Sequence, residues 1–192
     1  MILLLDLCYE KDSLSQYEFV YPIADTLTRS GFSSEIRHFT ELNEIEWERY
    51  DRIILCGTAL KDNDYAERME LFSWILNSKK PILGICAGMQ VISAVFGGKI
   101  LPQPSIGLEN ISIIRDSNLL GRQREIEGYH LHNFGVTLPE GFLLLAGRLD
   151  RVEAFRHPQR LIYGIVFHPE VRNRWIIEQF ARLPPLLDPS SA

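Results

Sequence analysis

The chain is short of cysteine, of clustered positive charge and of long apolar runs, and each shortage removes a class of protein. Cys8, Cys56 and Cys86 are the only three cysteines in 192 residues. Lying far apart, they imply no disulfide framework, and without a Cys-x-x-Cys or Cys/His cluster they imply no zinc site. Neither a metal nor another cofactor is expected. The 20 Lys and Arg are scattered among 25 Asp and Glu, for a formal net charge of −5. That excludes nucleic acid as the main partner, because phosphate binding needs a concentrated basic surface. The apolar opening Met1-Ile2-Leu3-Leu4-Leu5 has no basic leader and meets Asp6; it is too short for a signal core and far too short to span a bilayer. It reads as a buried strand in a cytoplasmic protein without a membrane partner. Internal repeats and low-complexity stretches are absent.

What is present is an ordinary globular composition, 46% hydrophobic and 23% charged, at a length that suits one domain. Short apolar runs alternate with amphipathic stretches, the pattern of an α/β protein whose parallel sheet is covered by helices. Strands are predicted at 2–7, 34–39, 52–56 and 81–85, and helices at 17–29, 64–77 and 89–96. Gly31 offers the first of these helices a left-handed cap. Beyond Gly97-Gly98 the texture changes to strands at 110–115, 142–146, 151–156 and 161–167, with turn signals at Pro139-Glu140-Gly141 and His157-Pro158-Gln159. A sheet parallel in its first half and antiparallel in much of its second follows. A last helix is predicted at 171–182. The domain is expected to occupy 1–183, and Pro184, Pro185 and Pro189 make 184–192 an irregular tail.

The most informative stretch is Gly84-Ile85-Cys86-Ala87-Gly88-Met89-Gln90. A buried strand runs into Gly-x-Cys-x-Gly and a helix leaves at once, which is the logic of a nucleophile elbow with cysteine at its apex. The sharp turn projects the side chain above the sheet edge, and free N–H groups at the helix start favour negative charge there. The N–H of Ala87 points the same way. The bland reading is a small buried hydrophobe, and it is the one assigned to Cys8, in a polar loop, and to Cys56, which lacks an elbow.

The second stretch is Gly164-Ile165-Val166-Phe167-His168-Pro169-Glu170. His168 and Glu170 follow a strand, and active residues collect at the carboxyl ends of strands in α/β sheets. Pro169 fixes the backbone between them, so the carboxylate can turn back and orient the imidazole as a base. The alternative is a loop histidine capped by a nearby acid. Gly-x-Cys-x-Gly and His-Pro-Glu each arise by chance in roughly one chain of this length in a hundred, so their joint occurrence at strand ends favours chemistry.

These motifs, with Gly97-Gly98-Lys99 and the continuation to Val171, resemble the class I glutamine amidotransferases of the Cys-His-Glu type, and the likeness spans about residues 1–182. The resemblance implies a three-layer flavodoxin-like sandwich with a mostly parallel central sheet and an antiparallel extension. It further implies that Cys86 attacks the side-chain amide of glutamine, that backbone N–H groups of Ala87 and near Gly57 hold the oxyanion, and that His168 protonates the departing ammonia and then activates water. Gln90, His130, His132 and Asn133 fall where the family binds substrate. An ATP-dependent synthetase that receives the ammonia is the implied partner. One departure is Gly57-Thr58-Ala59, where the family carries Gly-Gly-Pro; Thr58 makes a peptide flip there costlier than glycine would.

A free-standing γ-glutamyl hydrolase and a catalytically silent regulatory module are the competing functions. Arg148, Arg151, Arg156 and Arg160, interrupted by Asp150 and Glu153, read as a solvated strand face. Arg172 and Arg174 read as surface residues, and Trp47, Trp74 and Trp175 as core.

Overall fold

The computed structural model describes residues 1–184. Its strands are β1 (Ile2–Asp6), β2 (Ser34–His38), β3 (Arg52–Leu55), β4 (Ile82–Ile85), β5 (Ile100–Ile113), β6 (Arg124–Val136), β7 (Leu143–Arg148), β8 (Arg151–Arg156) and β9 (Ile162–Ile165). They form one nine-stranded sheet in the order β2-β1-β3-β4-β9-β8-β7-β5-β6. Pairing is parallel from β2 to β9 and antiparallel from β9 to β6, so the change of texture after Gly98 marks a change of strand direction.

The helices are α1 (Leu14–Phe19), α2 (Tyr21–Arg29), α3 (Ala87–Val95) and α4 (Trp175–Arg182). Alternate residues of the central strands feed two cores. Ile2, Leu4, Ile54 and Leu83 meet α2 and α4 on one face, while Leu3, Leu5, Ile53 and Ile82 meet α3 and the 66–77 segment on the other. This is the expected three-layer α/β sandwich, and it explains why β1, β4 and β9 are buried at every position and read as continuous apolar runs. None of the described helices is long and apolar enough to cross a membrane.

Several boundaries differ from expectation for identifiable reasons. The helix predicted at 17–29 is two helices meeting at Val20, because Pro22 stands at the start of α2 and its ring has no place inside a continuous helix. The stretch Ala66–Asn77 is not an α-helix but a run of 3₁₀ turns broken at Arg68. Phe72 and Ile75, three apart, are its fully buried residues, a spacing that suits three residues per turn. The helix predicted at 171–182 begins only at Trp175, since Asn173 has φ 80°. β5 before Asn110 went unpredicted because Pro102, Pro104 and Gly107 resemble breakers, and β6, which contains no proline, was not delimited as a strand. In the structure they belong to an outer ribbon that bulges between Pro102 and Ser105, where proline is tolerated. Of the expected tail, only residue 184 is described, without regular structure; the rest lies outside the described residues.

The tryptophans are half-buried rather than core. Trp47 and Trp74 pack together with centroids 4.6 Å apart, and Arg124 covers Trp175 at 5.0 Å. Arg172 pairs with Glu127 at 2.7 Å, and Arg174 lies 3.9 Å from Asp25. Cys8 lies in the polar loop after β1, as read, and is completely buried there.

Helix α3 lies directly on the sheet. A Cβ on Gly88 would stand 2.2 Å from the Leu55 carbonyl oxygen, and one on Gly84 would stand 2.4 Å from the carbonyl of Gly88. Backbone cannot give way cheaply at such contacts. Gly88→Ala is therefore expected to lower stability by roughly 1–3 kcal/mol, as read from the midpoint of urea denaturation at constant slope.

Candidate active site

Cys86 occupies the turn between β4 and α3 with φ 50° and ψ −104°, a region that non-glycine residues enter at a cost of about 1–3 kcal/mol. The turn is held from both sides. The Cys86 N–H donates to the Ile165 carbonyl of β9 at 2.8 Å, and the Cys86 carbonyl accepts from Gln90 N–H at 3.1 Å. Ala87 follows as the first residue of α3, where N–H groups have no partner within the helix. The thiol is only 4% exposed and lies 3.8 Å from the carbonyl oxygen of Leu131 on β6.

His168 follows β9, the parallel neighbour of β4, and Ile85 is in register with Ile165. Both segments therefore leave the sheet at one level. The His168 N–H donates to the Tyr129 carbonyl at 2.8 Å, and Nδ1 meets Glu170 Oε1 at 2.7 Å. Imidazole and carboxylate are almost wholly enclosed, with Phe19 packed 5.4 Å from the imidazole between ring centroids. Gly57, after β3, fills the remaining corner: a Cβ there would stand 2.8 Å from His168 Cε1 and 3.5 Å from Cys86 Cβ. Three residues far apart in sequence thus converge on one point, and only glycine fits it. Burial opposes charge on His168, but Glu170 and the Cys86 sulfur hold it well above the ordinary imidazole range.

A narrow cleft opens beside the sulfur, lined by Thr58, Tyr65, Ala87, Gln90, His132 and Asn133 among others. The Tyr65 hydroxyl donates to Gln90 Oε1 at 2.6 Å, and Gln90 Nε2 donates to the Phe134 carbonyl at 3.0 Å, so both ends of this amide are engaged by the protein. Asn133 Nδ2 reaches across to the Leu60 carbonyl at 3.1 Å. Thr58 Oγ1 donates to the buried Asp62 at 2.6 Å, which ties down the turn following Gly57. Both ring nitrogens of His132 lack a protein partner. Burial, with His130 and His168 nearby, pushes this ring down to about 4, so it is neutral near pH 7.

His130 does not line the cleft. It is wholly buried behind it, with Nε2 2.7 Å from Glu153. The arginine run is solvated only in part: Arg148 is exposed, Arg151, Arg156 and Arg160 are half-buried, and Val152, Glu153, Ala154 and Phe155 are all buried, because β8 lies between β7 and β9. Tyr65, Asp62 and Glu153 went unnoticed in the sequence; Glu153 alone left a signal there, its alternation with arginines. Cys8 and Cys56 remain small buried residues, and burial, reinforced by Asp6, pushes both thiols up. Among the described residues no group of three or more His, Cys, Asp or Glu is arranged to hold a metal.

A mixed sheet between helical layers, carrying a strained cysteine on its central elbow and a buried imidazole on the adjoining strand, defines an α/β class built for chemistry at the strand ends. The family model "Glutamine amidotransferase class-I" matches residues 12–176, and the chain belongs to that family. It is 34% identical over 163 residues to the glutamine-hydrolysing GMP synthase subunit of Methanocaldococcus jannaschii, covering 81% of this chain and 85% of the relative. The corresponding subunit of Saccharolobus solfataricus is 32% identical over 134 residues, covering 67% and 71%. Among solved structures, a Thermoplasma acidophilum protein assigned to GMP synthase superposes with a TM-score of 0.79 at 26% identity, over 93% of this chain and 90% of that one. A glutamine amidotransferase from Thermotoga maritima shares the fold with a TM-score of 0.68 at 20% identity, over 91% and 80%.

The His168–Glu170 pair makes stability depend on pH. Because the folded-state value of His168 is raised, its contribution is complete below the unfolded imidazole value of about 6.5 and is lost as pH rises through the folded value. Glu170→Gln is expected to lower the titration point of His168, followed by histidine NMR, and to destabilise the protein more near pH 6 than at alkaline pH. A His168 titration unchanged by the substitution would contradict the pairing.

Proposed function

We propose that this chain is a glutaminase subunit that hydrolyses the side-chain amide of glutamine through a thioester on Cys86 and passes ammonia to an ATP-dependent synthetase. What supports the reading is the meeting of Cys86, His168 and Glu170 at the ends of β4 and β9, with Gly57 left bare beside them.

The sulfur attacks the amide carbon of glutamine, and negative charge develops on the amide oxygen. The backbone N–H of Ala87, at the start of α3, and one near Gly57 stabilise that oxygen. The C–N bond breaks as protonated His168 gives its proton to the leaving nitrogen, releasing ammonia. Neutral His168 then takes a proton from water, the resulting hydroxide attacks the thioester carbon, and glutamate leaves as the sulfur regains its electron pair. Glu170 orients the imidazole and stabilises its charged form. His132 and Asn133 face the bound amino acid across the cleft. The names of the relatives support a partner that completes GMP synthesis.

Ammonia release from glutamine tests this, measured with and without a candidate synthetase and again on other γ-glutamyl amides. Cys86→Ala is expected to reduce release by at least about a thousandfold while retaining the fold, since alanine meets the same backbone demand as cysteine. His168→Ala should block both half-reactions and Glu170→Ala should be milder. Equal release by wild type and Cys86→Ala would remove the mechanism. Turnover without a synthetase that favours other γ-glutamyl compounds would replace the partnership with a free-standing hydrolase.

A further inference from the structure

The cleft beside Cys86 holds about 20 Å³ of free space, room for roughly one water molecule and far less than an amino-acid amide occupies. Cys86 and His132 are buried, and His168 is wholly enclosed. A substrate that is to reach the sulfur must therefore displace one wall of the cleft. The floor cannot give way, since Ala87 and Gln90 belong to α3, which lies on the sheet. The ribbon side is held at several points. β6 is laddered to β5 along its length, its Tyr129 carbonyl accepts from His168 N–H, and its Phe134 carbonyl accepts from Gln90.

The remaining wall is the segment 58–64, which runs from Gly57 to Tyr65 through turns, without helix or strand. It is braced within itself. The Thr58 hydroxyl donates to Asp62 at 2.6 Å, and the Asp62 N–H donates to the Ala59 carbonyl at 3.0 Å. Its flanks are fixed, with Gly57 against His168 and the buried Tyr65 bonded to Gln90. Apart from the turn that Asn63 makes with Ala66, two hydrogen bonds among the described residues tie it to the rest of the molecule. Asn133 Nδ2, exposed on β6, donates to the Leu60 carbonyl at 3.1 Å across the mouth. The Tyr9 N–H reaches Asp62 Oδ2 at 3.4 Å. The first is open to solvent, where water replaces it at small net cost, and the second is long for such a bond. Both latches are weak.

We propose that residues 58–64 are a lid over the Cys86 thiol, latched by Asn133 and Tyr9, which swings as a braced unit about Gly57 and Tyr65 to admit substrate. A glycine suits the upstream end of a hinge, where a few residues absorb the change in backbone angles. Because Gly57 also borders His168 and Cys86, closure over a bound molecule restores that corner in the same movement. The inference goes beyond the glutaminase reading and does not depend on it, since any substrate of the thiol meets the same lid.

The test is the rate at which iodoacetamide alkylates Cys86 in the substrate-free protein, followed by intact mass, with Cys86→Ala subtracting any reaction at Cys8 and Cys56. Asn133→Ala removes the latch at the mouth, and Asp62→Ala removes the internal brace together with the Tyr9 contact. Each is expected to speed alkylation about threefold to tenfold, the worth of one weak hydrogen bond, with the pH profile of the reaction unshifted. Rates equal to wild type in both variants would overturn the proposal. So would acceleration in Asn133→Ala alone, because the ribbon would then be the wall that moves. A shifted pH profile would place the effect on ionisation of the thiol and overturn it too. If Asp62→Ala does not fold, Asn63→Gly combined with Asp64→Gly, both exposed, loosens the lid from its outer side, and a wild-type rate there overturns the proposal equally. None of these measurements needs turnover of glutamine, so a failure of the glutaminase reading is told apart from a failure of the lid.

Discussion

The parallel pairing of β4 with β9 is the constraint on which the site depends. It brings together two strands separated by some eighty positions and ends both at one height, so the elbow cysteine and the imidazole leave the sheet side by side. The Cys86 N–H bond to Ile165 makes this more than proximity, because the backbone of Cys86 itself completes the ladder. A register slip in either strand would part sulfur from ring by a residue's length, about 3.3 Å. The apolar runs that build β4 and β9 therefore serve chemistry as much as stability: burial on both faces sets the register, and the register sets the site.

Glycine does the complementary work. Gly84 and Gly88 let α3 rest on backbone, and Gly57 leaves the corner where His168 and Cys86 meet. None of the three needs a left-handed conformation; each is small because something else occupies the space. The strain is concentrated instead in Cys86, whose φ of 50° is held by the strand before it and the helix after it. Thr58 is pinned to Asp62, so the turn that follows Gly57 is stiffened by a side chain.

Much of this was legible in the sequence where a local pattern determines geometry. Gly84-x-Cys86-x-Gly88 announces an elbow, and His168 and Glu170 announce themselves by following a buried strand. The parallel half of the sheet could be read from uninterrupted apolar runs. What could not be read depends on partners distant in the chain. Glu153 looks solvated among its arginines until β8 is seen between β7 and β9, and His130 looks like its neighbour His132 until one is found against that carboxylate and the other in the cleft. Tyr65 has no pattern at all, since its role is a single hydrogen bond to Gln90. The start of the long ribbon was hidden by prolines that a bulge accommodates.

That ribbon has a consequence for how the molecule fails. β6 is an outermost strand of the sheet, bound to β5 alone, yet its Leu131 carbonyl stands against the sulfur, its Tyr129 carbonyl holds the His168 backbone, and its His132 lines the cleft. Edge elements open at lower free energy than the centre. Warming or mild denaturant will thus uncover the Cys86 thiol while the inner strands remain protected from solvent exchange, and the site will come apart before secondary structure is lost.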